Sequence, residues 1–121
     1  MAEHSLLDCR ILIVEDEYML AEELRRELED RGAIVIGPFA TIDGAMAAIL
    51  SGTEIDAAVL DVNLAGELAY PVGDLLLERQ IPLVFATGYD TATIPERFEA
   101  VERCEKPIDM AVLIRQIGRE R

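Results

Sequence analysis

"AAVLDVNLAGE", residues 57–67, sets four apolar residues in a row and ends the run on a carboxylate, Asp61. A half-buried strand alternates apolar with polar; an unbroken run is the pattern of a strand covered on both faces, as in a parallel sheet. Four further runs recur at near-regular spacing: ILIV (11–14), AIVI (33–36), LVFA (83–86) and a weaker one around VERC (101–104). The intervals between them carry helical periodicity. Leu20, Leu24 and Leu28 recur at i+4 within an acid-rich stretch from Glu17 to Arg31, a solvated face closed by Gly32. Ile42, Ala45, Met46, Ile49 and Leu50 fit a second helix with Thr41 as cap and Gly52 as stop. Val72, Leu75 and Leu76 begin a third; Met110, Leu113, Ile114 and Ile117 make a fourth, with Pro107 and Asp109 near its start. The interval from Tyr89 to Ala100 contains Pro95 and two threonines, so any helix there is expected to be short or mobile. The pattern predicts a (βα)5 α/β domain.

Composition narrows the function classes. The chain has 121 residues, 51% hydrophobic and 29% charged, which suits one domain with its own core and leaves no length for a second. Its 24 acidic residues against 11 basic give a net charge of -13, so nucleic acid is not an expected partner. The opening MAEHSLLDCR has neither a basic n-region nor an apolar h-region, and no run is long enough for a membrane span. The expected location is cytoplasmic. Cys9 and Cys104 lack zinc-site spacing and read as reduced thiols. His4, the sole histidine, falls in a stretch expected to fray, and Leu6 and Leu7 read as edge packing.

In an open parallel sheet, ligands bind beyond the carboxyl ends of the strands. The first run is followed by Glu15 and Asp16, the third by Asp61, the fourth by Thr87 and the fifth by Lys106 and Pro107. Three carboxylates converging to about 5 Å cost roughly 3 kcal/mol per pair at an effective dielectric near 20. The sum approaches the stability of a whole domain, so a proton or a cation must compensate. Carboxylates plus a backbone carbonyl, for which Asn63 is the candidate, suit Mg2+. Lys106, the only lysine, adds a compact positive charge that favours ionised Asp61, and Thr87 supplies a hydroxyl. A carboxylate nucleophile, a metal, a cation and a hydroxyl are the parts of a phosphoryl-transfer site.

Together ILIVEDE, VLDVNL, FATGY and EKPID resemble the receiver domains of two-component response regulators, the CheY-like superfamily, over about residues 9–119. The resemblance implies a flavodoxin-like fold with a five-stranded parallel sheet of order 2-1-3-4-5, and phosphorylation of Asp61 by a sensor histidine kinase or a phosphotransfer protein. It implies Mg2+ on Asp16, Asp61 and the Asn63 carbonyl with Glu15 assisting through water, the phosphoryl group on Thr87 and Lys106, and a cis Lys106–Pro107 bond. LDVNLAGE followed by PLVFATGYD is similar to a branch of stand-alone receivers with a FATGY motif. That branch implies a single receiver domain over 1–121, no output domain, and signalling through a downstream protein partner. The family's aromatic switch position is Arg103 here, which leaves Thr87, Tyr89 and Arg103 as switch candidates.

Such a domain is a phosphoacceptor rather than an enzyme, limited to slow phosphorylation from small phosphodonors and slow self-hydrolysis. A constitutive adaptor that binds partners without phosphorylation is the alternative, although crowded carboxylates are a cost that a purely structural module need not carry. A haloacid-dehalogenase-type phosphatase is disfavoured by Asn63, which stands where a second acid belongs, and neither GxGxxG nor GxxxxGK[ST] occurs.

Overall fold

A computed structural model describes residues 6–88 and 94–120, with the side chains of 119 and 120 set aside. Five strands form one parallel sheet: β1 (Arg10–Val14), β2 (Ile34–Phe39), β3 (Ala57–Asp61), β4 (Leu83–Thr87) and β5 (Glu102–Glu105). Their order is β2-β1-β3-β4-β5, so the chain reverses direction across the sheet between β1 and β3. Among the described residues three α-helices connect strands, α1 (Tyr18–Asp30), α2 (Ile42–Leu50) and α3 (Tyr70–Glu78), and α4 (Met110–Glu120) follows β5. This is the flavodoxin-like arrangement.

The unbroken apolar runs are explained by two cores. Ile11, Ile13, Val59 and Val84 face α1 and α4, packing on Leu24, Leu28, Leu113 and Ile117. Their neighbours Leu12, Val14, Leu60 and Phe85 face α2 and α3, packing on Ala45, Ile49, Val72 and Leu76. Alternation is present in direction and absent in polarity, because each face has its own helix pair. Each large aliphatic side chain so buried contributes roughly 1.5–3 kcal/mol.

The helix ends follow their capping chemistry. Thr41 Oγ1 accepts the amide of Gly44 at 3.0 Å and caps α2. Asp109 Oδ1 accepts the amides of Ala111 and Val112, at 3.0 and 3.4 Å, at the start of α4. Gly32, at φ +93, follows α1; a Cβ there would lie 2.9 Å from Leu7 Cα, so glycine is required by both conformation and space.

One residue departs from the expectations, and the interval before β5 is short in helix as expected. Leu6 is a core residue rather than edge packing: it is fully buried in the α1–α4 core, while Leu7 is exposed. Between Tyr89 and Ala100 the described residues contain no α-helix, only a 3-10 turn at Glu96–Phe98 that Pro95 introduces. The turn is short yet firmly seated: Phe98 is fully buried against Tyr70 and Phe85, with ring centroids 5.5 and 5.2 Å away, and Arg97 meets Asp74 at 2.7 Å. A hairpin of two-residue strands, Asn63–Leu64 with Glu67–Leu68, follows β3. His4 lies outside the described residues.

Candidate phosphoacceptor site

The carboxyl edge of the sheet gathers its polar residues where β1, β3 and β4 end. Asp61 and Thr87 are the last residues of β3 and β4, Glu15 immediately follows β1, and Lys106 immediately follows β5. A register shift prepares this edge: Leu12 pairs with Ile36, but Val14 pairs with Phe39, so β2 carries an extra residue. Gly37, at φ +101, takes up the shift, and the Phe39 carbonyl then accepts the Glu15 amide at 2.9 Å. The Glu15 backbone is thereby fixed on the floor of the site.

Asp61 is 4% exposed, Glu15 2% and Thr87 3%. Carboxylate oxygens from Glu15, Asp16 and Asp61 lie within 4.8 Å of one another. Asp61 Oδ1 accepts the Asn63 amide at 3.0 Å and Asp61 Oδ2 accepts Lys106 Nζ at 2.9 Å, so each oxygen of the buried carboxylate has a donor. Lys106 Nζ also stands 3.2 Å from Glu15 Oε1 and 3.4 Å from Glu17 Oε2. The Lys106 amide donates to the Thr87 carbonyl at 2.8 Å, tying the lysine to the end of β4. The Lys106–Pro107 peptide is cis.

The charges are unequally balanced. Burial, with the nearby Asp61 carboxylate, raises the Glu15 carboxyl from 4.5 to about 7 against the opposing pull of the Glu17 amide and Lys106. For Lys106 burial works against the ammonium, but Asp61 and Glu15 outweigh it and raise its pKa. Among the described residues four buried side-chain atoms take part in no hydrogen bond, Glu15 Oε1, Tyr70 Oη, Thr87 Oγ1 and Gln116 Oε1, although Glu15 Oε1 faces the Lys106 ammonium as an ion pair. Buried polar atoms without partners are rare in folded proteins, and two of these four, those of Glu15 and Thr87, lie at the carboxyl edge of the sheet.

Glu15, Asp16 and Asp61 are therefore brought together, with Lys106 against two of them and Thr87 on the adjacent strand end. Asn63 is in contact through its amide. Arg103 is exposed in β5, its carbonyl accepting Gln116 Nε2 at 2.8 Å. Tyr89 lies outside the described residues. Glu17, read from the sequence as part of a solvated helix face, joins the site as a third carboxylate on Lys106. The signal for it was its i+2 spacing from Glu15 at a strand end, where the chain turns before α1 begins. Cys104 is buried and unpaired, and burial raises its thiol pKa. No helix among the described residues is long and apolar enough to cross a membrane.

No family model and no curated protein matches the chain. Solved structures do. SdrG from Sphingomonas melonis Fr1 is 38% identical with a TM-score of 0.81, covering 93% of this chain and 96% of that one. The BeF3-activated conformation of SdrG from Pseudomonas melonis Fr1 is 37% identical with a TM-score of 0.75, covering 98% and 97%. A response regulator receiver protein from Sinorhizobium medicae WSM419 shares the fold at 24% identity, with a TM-score of 0.81 and 95% of each chain covered. With a parallel sheet of flavodoxin-like order and an acid cluster at its carboxyl edge, the chain belongs to the response regulator receiver domains.

Proposed function

We propose that this receiver works by phosphorylation: Asp61 accepts a phosphoryl group from a sensor histidine kinase or a histidine phosphotransfer protein, and the modified form changes which protein it binds. The observation that carries this reading is the state of the Asp61 carboxylate. It is buried, held at one oxygen by the Asn63 amide and at the other by Lys106, and lies one strand away from a buried hydroxyl that has no partner. A structural aspartate needs neither the neighbouring acids Glu15 and Asp16 nor the orphaned threonine.

In the transfer a carboxylate oxygen of Asp61 bonds to phosphorus as the phosphorus–nitrogen bond of the donor breaks, and that electron pair leaves with the donor imidazole. Lys106 stays on the acceptor side as a fixed positive charge for the phosphoryl oxygens, and the Thr87 hydroxyl gives them a donor. Neither group has to move a proton.

Mg2+ fits the remaining donors. Glu15, Asp16 and Asp61 offer hard oxygen ligands within a small volume, and the Asn63 carbonyl is the proposed fourth protein donor. When bound, the ion neutralises charge that develops on the phosphoryl oxygens. Thr87 is the proposed switch residue, with Tyr89 and Arg103 as further candidates.

Beryllofluoride, the ligand of the activated SdrG conformation, provides the test. Added with Mg2+ to isotopically labelled protein, it is expected to shift the amides of Asn63, Thr87, Gly88 and Lys106, with no such shifts in Asp61→Asn. Unchanged spectra would leave a constitutive adaptor as the better description.

A further inference from the structure

The ammonium of Lys106 serves three carboxylates, and one of them has no place in the phosphoacceptor chemistry just described. Glu17 Oε2 lies 3.4 Å from Lys106 Nζ, with a side chain 58% exposed, so it covers the ammonium on its solvent side. Glu17 is the N-cap residue of α1, yet its side chain makes no capping hydrogen bond. Its position is also fixed from below, since the Glu17 amide donates to Glu15 Oε2 at 3.0 Å. Lys106 does not need Glu17 for orientation: Asp61 at 2.9 Å and Glu15 at 3.2 Å already hold it on the buried side. What Glu17 adds is negative charge at the mouth, beside a groove of about 850 Å3 that Lys106, Gly88 and Leu20 also line.

From this arrangement we infer that the charge of Glu17 restrains phosphorylation: it engages Lys106 on the open side and repels an incoming anionic phosphodonor, so that the site reacts more slowly than its core geometry allows. The inference rests on the phosphoacceptor reading of Asp61. An exposed carboxylate facing a dianion across a few ångströms in screened solvent changes a rate by roughly three- to tenfold. The same charge favours a divalent cation, so its removal acts in opposite directions on the two ligands.

The experiment follows phosphorylation by acetyl phosphate, read by intact mass, in wild type, Glu17→Gln, Glu17→Asp and Asp61→Asn, each checked for an unchanged thermal midpoint. At saturating Mg2+ and low ionic strength, Glu17→Gln is expected to react roughly three- to tenfold faster than wild type, a gap that closes at about 0.5 M salt. Its half-saturating Mg2+ concentration rises, while Glu17→Asp, which keeps the charge, stays near wild type. A merely structural role would move neither the salt dependence nor the opposed Mg2+ response. Glu17→Gln reacting at or below the wild-type rate, while wild type is modified at Asp61, overturns the inference alone. Wild type that gains no phosphoryl group overturns the phosphoacceptor reading and this inference with it.

Discussion

Replacing Glu15 by glutamine isolates the electrostatic cost of the buried cluster. In the folded protein the Glu15 carboxyl is raised from 4.5 to about 7, chiefly by burial, so the folded state holds this proton more tightly than the unfolded chain does. The stability associated with that proton is full below about pH 4.5 and is lost as pH rises through 7. At about 1.4 kcal/mol per unit of pKa difference, wild type in the absence of divalent ions should lose about 2–3 kcal/mol from this one group between pH 5 and pH 8. Glu15→Gln has no proton to lose and keeps an oxygen for the Glu17 amide. Urea denaturation at pH 5, 6, 7 and 8 measures both proteins, and the other acids largely cancel in the difference. The wild-type midpoint should fall relative to the variant by roughly 1–2 M urea across the range. Adding Mg2+ should restore wild type at pH 8 and change little at pH 5, since only the ionised cluster attracts the ion. Parallel midpoints for the two proteins at every pH would show that Glu15 ionises as readily folded as unfolded, and the cost assigned to the cluster would be wrong.

Lys106→Met removes the positive charge and leaves Asp61 and Glu15 buried without it. A loss of about 3–5 kcal/mol at pH 8 is expected in chemical denaturation, shrinking toward pH 5 as Glu15 takes up a proton. Phe98→Ala empties the slot between Tyr70 and Phe85, and a loss of about 3–5 kcal/mol in the same assay is expected. Asp74→Asn, which breaks only the exposed pair with Arg97, should shift the midpoint far less; equal effects would mean that the ion pair, not the ring, seats the 3-10 turn.

The fold was legible because the strands are covered on both faces. Runs such as ILIV and LVFA stay apolar through every residue only when helices lie above and below, and that condition implies a parallel sheet. The acid cluster and Lys106 were legible because their positions follow from where each run stops. Less visible was what depends on long-range packing. Leu6 enters the core because its amide bonds the Arg31 carbonyl at 3.0 Å, which no local pattern encodes. The hairpin after β3 is too short for any periodicity. Phe98 sits in a segment of poor helix propensity and is placed by rings from α3 and β4 rather than by its neighbours. Glu17 looked like any acid at a helix start, because its partner is 89 residues away.

The central claim is that a crowded, cation-balanced crevice makes Asp61 a reversible phosphate carrier. The most direct test incubates the protein with acetyl phosphate and Mg2+, traps the acyl phosphate by borohydride reduction, and maps the modified residue by peptide mass. Modification confined to Asp61, dependent on Mg2+ and absent from Asp61→Asn, is the expected result. Modification elsewhere, or none while Mg2+ is bound, would contradict it.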